Sequence, residues 1–144
     1  MAPKLRAVID TNLIVSGIFG KDSLSARLMD LWITQKFDLA TSTEILQEIG
    51  RVLQYPRIRE RFGSNEETVR RFFRLVFRKG IVTKGLYQID RITDDPSDNM
   101  FLACALESEA DFIVSRDPHL RNLKQYHGVR IVDVKSFLEA VSKG

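Results

Sequence analysis

The sequence predicts an α/β fold in three layers, α/β/α, around a central, mainly parallel sheet. Three observations carry that expectation. Short apolar runs of strand length alternate along the chain with longer stretches whose apolar residues recur at helical spacing. The short runs are close to continuously apolar, as strands covered on both faces require. Two of them stop at an aspartate, Asp10 and Asp117. Alternation of this kind is satisfied by a parallel sheet packed between helices.

Leu5 to Ile9 is the first strand, interrupted by Arg6 and ended by Asp10-Thr-Asn12. A loop containing Gly17 and Gly20 is expected next. Ser23 is placed to cap a helix that carries Leu24, Leu28, Leu31 and Trp32 and ends near Gln35. Phe37 to Ala40 forms the second strand. Thr41-Ser-Thr-Glu44 has the form of a capping box, and Ile45, Leu46, Ile49, Val52 and Leu53 make the clearest helical stripe in the chain, closed at Tyr55-Pro56. Gly63-Ser-Asn65 marks a turn. From Glu66 to Lys79 the helical period repeats through Val69, Phe72, Phe73, Val76 and Phe77, whose aromatic rings read as core. Residues 80 to 95 read as loop. Asp95-Pro96 starts a further helix, because Asp caps and Pro is preset for the first helical position, and Met100 to Leu106 carries it. Ala110 to Asp117 contains a strand ended by its acid, Val129 to Val134 another, and Lys135 to Val141 a closing helix.

At 144 residues the chain has the length of one domain, read here as residues 1–144. A single cysteine excludes an internal disulfide, and Cys104, set in Phe101-Leu-Ala-Cys-Ala-Leu106, reads as a small buried residue in a reducing compartment. No apolar run approaches the ~18 residues of a membrane span, and no signal-type stretch opens the chain. A cytoplasmic location is expected. Net charge is only +3, yet residues 51 to 79 hold nine Lys or Arg against three acids, a local +6 that leaves −3 for the rest. Such asymmetry suits a polyanion docking on one part while acids gather elsewhere; a solvated helical surface is the plainer alternative.

The acids are the informative residues. In open parallel sheets ligands bind beyond the carboxyl ends of the strands, where Asp10 and Asp117 sit. Either alone reads as a turn or capping residue; the pair suggests a site. Asp98 falls in a first helical turn, where the helix dipole favours a negative charge, but Asp94, Asp95 and Asp98 together exceed what a helix start needs. At about 100° per residue, Glu48 lies at the edge of the apolar stripe centred near Ile49 and Leu53, whereas Glu44 faces away. Carboxylates drawn together repel unless a cation neutralises them, and an all-oxygen set selects Mg²⁺ or Mn²⁺. On repulsion alone, Asp10→Asn is expected to leave the fold intact or more stable. Zinc is disfavoured by a complement of only His119, His127 and Cys104, and His119 reads as a surface turn residue. No Ser-His-Asp constellation, GxxxxGK[ST] loop or GxGxxG turn is present.

Taken in order, Val8-Ile-Asp-Thr-Asn12, Glu48, Asp95-Pro-Ser-Asp-Asn99 and Ser115-Arg-Asp117 resemble the motifs of the PIN-domain nuclease family, in particular the small prokaryotic branch that supplies toxins of toxin-antitoxin pairs. The resemblance spans nearly the whole chain. It implies that Asp10, Glu48, Asp98 and Asp117 bind one or two divalent cations, supported by Asn12 and Ser115, and that single-stranded RNA is cut by a metal-activated water. A homodimer and an antitoxin partner are further implications. Arg116 departs from the small residues common at its position, so it either meets phosphate or points outward. Arg70, Arg71, Arg74 and Arg78 fall opposite the apolar stripe of their helix and are candidates to steer RNA, to receive a partner protein, or simply to face solvent. Two other functions use the same residues: an RNA- or protein-binding module without catalysis, and a DNA nuclease or phosphatase.

Overall fold

The structure, a computed structural model, describes residues 4–20, 23–63, 66–89 and 98–143. The Ser23 side chain, and with it the cap read there, is not described, and the turn read beyond Gly63 and Asp94 and Asp95 with the helix start at Pro96 lie outside the described residues.

Strand β1 (Arg6–Ile9) buries Ala7, Val8 and Ile9 completely or nearly so. Helix α1 (Thr11–Phe19) follows directly where a loop was expected. Asp10 starts it by accepting the Leu13 N–H at 2.9 Å, and Gly20 ends it in the left-handed conformation, φ 64°. Gly17 therefore lies inside a helix. A Cβ there would strike the Met29 side chain and come within 3.0 Å of the Ser25 carbonyl, so glycine is what lets α2 (Ser23–Ile33) close on α1.

Strand β2 (Asp38–Ser42) runs into α3 (Thr43–Leu53), capped by Ser42, whose Oγ accepts the Ile45 N–H at 3.1 Å. The cap stands one residue later than the capping-box reading placed it. Thr41 stays in the strand, and Glu44 is a first-turn acid instead of a box partner. Then come α4 (Pro56–Phe62), begun by a proline, and α5 (Glu66–Lys79). Phe72 and Val76 of α5 are buried, but Phe77, read as core, is 66% exposed. It lies roughly 90° round the helix from the centre of the stripe, one turn from the end, where nothing need cover it.

The remaining elements are β3 (Ile81–Thr83), α6 (Asn99–Glu107), β4 (Phe112–Val114), α7 (Pro118–Arg121), β5 (Gln125–Tyr126), β6 (Val129–Val132) and α8 (Val134–Lys143). β3 falls within the stretch read as loop; three residues are too few to show a period, and pairing with β2 makes them a strand. Beyond it the Glu107 carboxylate accepts backbone N–H groups of Lys84 at 3.1 Å and Leu86 at 2.8 Å, holding the chain against the end of α6.

The sheet order is β3-β2-β1-β4-β6-β5, parallel except for β5. β5 joins β6 through His127 and Gly128, both at positive φ, as a two-residue hairpin turn requires. From β1 the chain moves outward through β2 to β3, then returns to place β4 on the other side of β1. Right-handed crossovers in opposite directions put α1 to α5 over one face and α6, packed on β1, β2 and β4, over the other. α8 closes on Phe37 and Phe112 through Phe137, with ring centroids at 4.9 and 5.4 Å.

Asp133 accepts the Ser136 N–H at 2.8 Å in the first turn of α8 and stands 3.7 Å from Arg121. Its hydrogen bonds with Ser136 hold its pKa below 3.8. Asp133→Ala is expected to lower the unfolding free energy by about 0.5–2 kcal/mol at neutral pH. A depressed folded-state pKa gives stability that is complete above the unfolded value and lost as pH falls through the folded one. Urea unfolding of both proteins across the acid range should therefore show the difference closing below 3.8.

Candidate active site

Ile9 of β1 pairs with Val114 of β4, so Asp10 and Ser115 emerge side by side at the carboxyl edge, where the strand order changes direction. The Asp10 carboxylate is 6% exposed and accepts three hydrogen bonds. Its Oδ1 takes the Leu13 N–H, and its Oδ2 takes the Ser115 hydroxyl at 2.6 Å and the Arg116 N–H at 3.0 Å. Ser115 is fully buried, and its Oγ also accepts the Asp117 N–H at 2.9 Å. One hydroxyl thus fixes the position of both acids. Asp117 then caps α7 by accepting the His119 N–H at 2.8 Å.

Glu48 is half-buried, as its place at the edge of the α3 stripe implies, and its Oε2 accepts the Thr11 hydroxyl at 2.6 Å. Sequence reasoning missed Thr11; the available signal was its position between Asp10 and Asn12. Asp98 precedes α6 and is 5% exposed, but its side chain does not cap that helix, in contrast to Asp10 and Asp117.

All four acids line one cavity of about 370 Å³, together with Asn12, Thr11 and Arg116. Val52, Phe101 and Pro118 complete its wall. Ser115 lies behind that wall, holding Asp10. The α5 arginines are exposed, but none of them lines this cavity. Arg70 instead borders a separate, largely apolar groove of about 450 Å³ between α3, α4 and α5, and stands 3.8 Å from Glu67.

Burial raises the Asp10 pKa above 3.8, against the lowering effects of the Ser115, Leu13 and Arg116 hydrogen bonds and the Arg116 charge. A buried carboxylate whose charged form is disfavoured is stabilised by a cation. The donors are all oxygen, which fits a hard divalent ion. Among the described residues no three acidic, His or Cys side chains stand close enough to hold an ion as placed; the acids share a cavity without being drawn into a shell. Burial pushes the Cys104 thiol up to about 12, so it is an inert core group.

A family model described as PIN domain matches residues 6–119. The chain belongs to the PIN domain family. PIN domains are generally metal-dependent nucleases, so the chain is assigned to the nucleases. It is 28% identical over 121 residues to the uncharacterized protein MJ1680 of Methanocaldococcus jannaschii, covering 84% of this chain and 76% of that one. The crystal structure of PAE2754 from Pyrobaculum aerophilum superposes with a TM-score of 0.63 at 17% identity, covering 97% of this chain and 91% of that one. A chain of VapBC2 from Rickettsia felis, solved bound to a DNA fragment from their promoter, gives 0.57 at 11% identity, covering 88% and 97%. Both structural likenesses confirm the PIN fold. No helix among the described residues is long and apolar enough to cross a membrane.

The Asp10 contacts alter what Asp10→Asn does in the metal-free protein. An amide keeps one acceptor, but its nitrogen would face donors, a cost of about 1–3 kcal/mol that opposes the relief of charge. The two effects separate by pH. A carboxyl with a raised folded-state pKa contributes stability that is present below the unfolded value and lost as pH rises through the folded one. Wild type should therefore lose stability relative to Asp10→Asn as pH rises, measured by urea unfolding at stepped pH in EDTA. Parallel curves would mean that the ionised carboxylate carries no burial penalty.

Proposed function

We propose that this PIN domain, residues 1–144, is an endoribonuclease that hydrolyses phosphodiester bonds of single-stranded RNA. Asp10, Glu48, Asp98 and Asp117 hold Mg²⁺ or Mn²⁺, one or two ions per site, with Asn12 and Ser115 in support. The observation that carries this reading is the meeting of four carboxylates from four separate segments in one cavity at the carboxyl edge of the sheet. A bound cation lowers the pKa of a water and offsets charge on the phosphoryl oxygens. The chain's own residues do the positioning. Ser115 and the Leu13 and Arg116 N–H groups aim Asp10, Thr11 aims Glu48, and Val52 and Phe101 give the cavity part of its apolar wall. The complete set of acids favours catalysis over a binding module.

The resemblance to prokaryotic toxins supports a toxin role with an antitoxin partner, a homodimeric assembly and a cytoplasmic location. Arg70, Arg74 and Arg78, exposed on one face of α5, are proposed to steer RNA phosphates toward the domain.

A labelled single-stranded RNA should be cut by the purified protein with Mn²⁺ or Mg²⁺ and not with EDTA, while DNA of the same sequence is spared. Asp98→Asn should lower kcat/KM about 100-fold or more, since metal stabilisation of the transition state amounts to several kcal/mol. Cutting that survives EDTA and the substitution would overturn the four-acid mechanism. For the α5 face, the triple variant Arg70→Gln, Arg74→Gln, Arg78→Gln should flatten the slope of log affinity against log salt by about 2, at roughly 0.7 per phosphate contact on a single strand. An unchanged slope assigns that face to solvent or to a partner protein.

A further inference from the structure

A phosphodiester entering the acid cavity meets four carboxylates, and the α5 arginines stand elsewhere. Among the described residues lining the cavity, Arg116 alone is Lys or Arg. Its backbone is fixed, because its N–H bonds Asp10 Oδ2 and its neighbours Ser115 and Asp117 are joined through the Ser115 hydroxyl. Its side chain is held as well. Nη2 donates at 3.0 Å to the Oγ of Ser25, a fully buried residue of α2. Ser25 reaches that position because α2 packs its backbone against Gly17. A guanidinium is a rigid planar fork, so a bond from one nitrogen to a buried hydroxyl restrains where it lies, and such a fork matches the paired oxygens of a phosphate.

We infer that the Arg116 guanidinium, oriented by Ser25, binds a non-bridging oxygen of the RNA phosphate at the acid cavity. This assignment rests on the nuclease reading and deepens it: Arg116 is a substrate-binding residue and Ser25 a positioning residue. The same charge acts in two directions. It attracts the phosphate diester, and it opposes the divalent cation that the acids attract. A side chain serving only to brace α2 against the β4–α7 connection would still act on the cation through its charge, but it would make no bond to the phosphate.

The test compares the full-length wild type with Arg116→Ala, Arg116→Lys and Ser25→Ala, each checked for folding by circular dichroism. It uses a fluorescein-labelled single-stranded RNA, Mn²⁺ for turnover and EDTA for binding. Arg116→Ala is expected to raise KM about tenfold, the effect of one hydrogen bond to a charged group, and to flatten the salt dependence of RNA affinity by about 0.7. It should also tighten Mn²⁺ binding measured without RNA. Arg116→Lys keeps the charge and the salt slope but loses the planar fork, so KM rises several-fold. Ser25→Ala likewise leaves the slope unchanged and raises KM. If wild type cleaves and Arg116→Ala matches it in KM and salt slope, the assignment falls while the nuclease stands, whatever the Mn²⁺ affinity does. If wild type neither cleaves nor binds the RNA, the nuclease reading falls and the assignment with it.

Discussion

Asp10 accepts hydrogen bonds from Leu13, Ser115 and Arg116 while almost wholly out of solvent, and the carboxyl edge of the sheet depends on that set of bonds. The donors come from two distant parts of the chain, the first turn of α1 and the two residues that follow β4. Through Ser115 the same connections reach Asp117, and through the adjacent Thr11 they reach Glu48 on α3. A buried carboxylate left without partners would cost several kcal/mol. Here one of its partners, Ser115, also holds Asp117, and the neighbouring Thr11 holds Glu48, so satisfying Asp10 and bringing these acids together use the same geometry.

Basic and acidic groups are separated in the fold. The basic stretch from residue 51 to 79 lies on α3, α4 and α5, and its arginines do not line the acid cavity. Fields from exposed cations act over about a Debye length, roughly 8–10 Å in ordinary salt, which suits steering more than contact. Among the described residues lining the cavity there are four acids and one Lys or Arg, Arg116. The balance of that lining is strongly negative, which is compatible with the proposed divalent cation and with the role proposed for Arg116.

Much of this was legible in the residues. Continuous apolar runs at strand length foretold the parallel sheet, because strands covered on both faces have no polar side to show. Asp10 and Asp117 were visible as acids that stop strands, and Glu48 as the acid at the margin of an amphipathic stripe. Other features were not. α1 was hidden because Gly17 looks like a turn in sequence, whereas its role is to admit α2 at close range. Phe77 has the spacing of a core residue but lies at the edge of the stripe near the end of α5, where the packing runs out. β3 is too short to carry a period and exists because β2 offers it a partner.

By itself the sequence determined the fold class and the PIN family and pointed to four acids that the fold brings to one cavity, because these depend on local spacing and on where strands and helices stop. It also settled that the donors are oxygen, since the residue types are written in the chain. Tertiary structure alone decided which residues serve those acids. The bond from Thr11 to Glu48 spans 37 positions and that from Ser115 to Asp10 spans 105, and no period or motif reports contacts of that range. The pairing of Arg116 with Ser25, 91 positions apart, belongs to the same class. It follows from how closely α2 packs on α1 and from the order of β1 and β4 in the sheet, both of which are set only when the whole core is assembled.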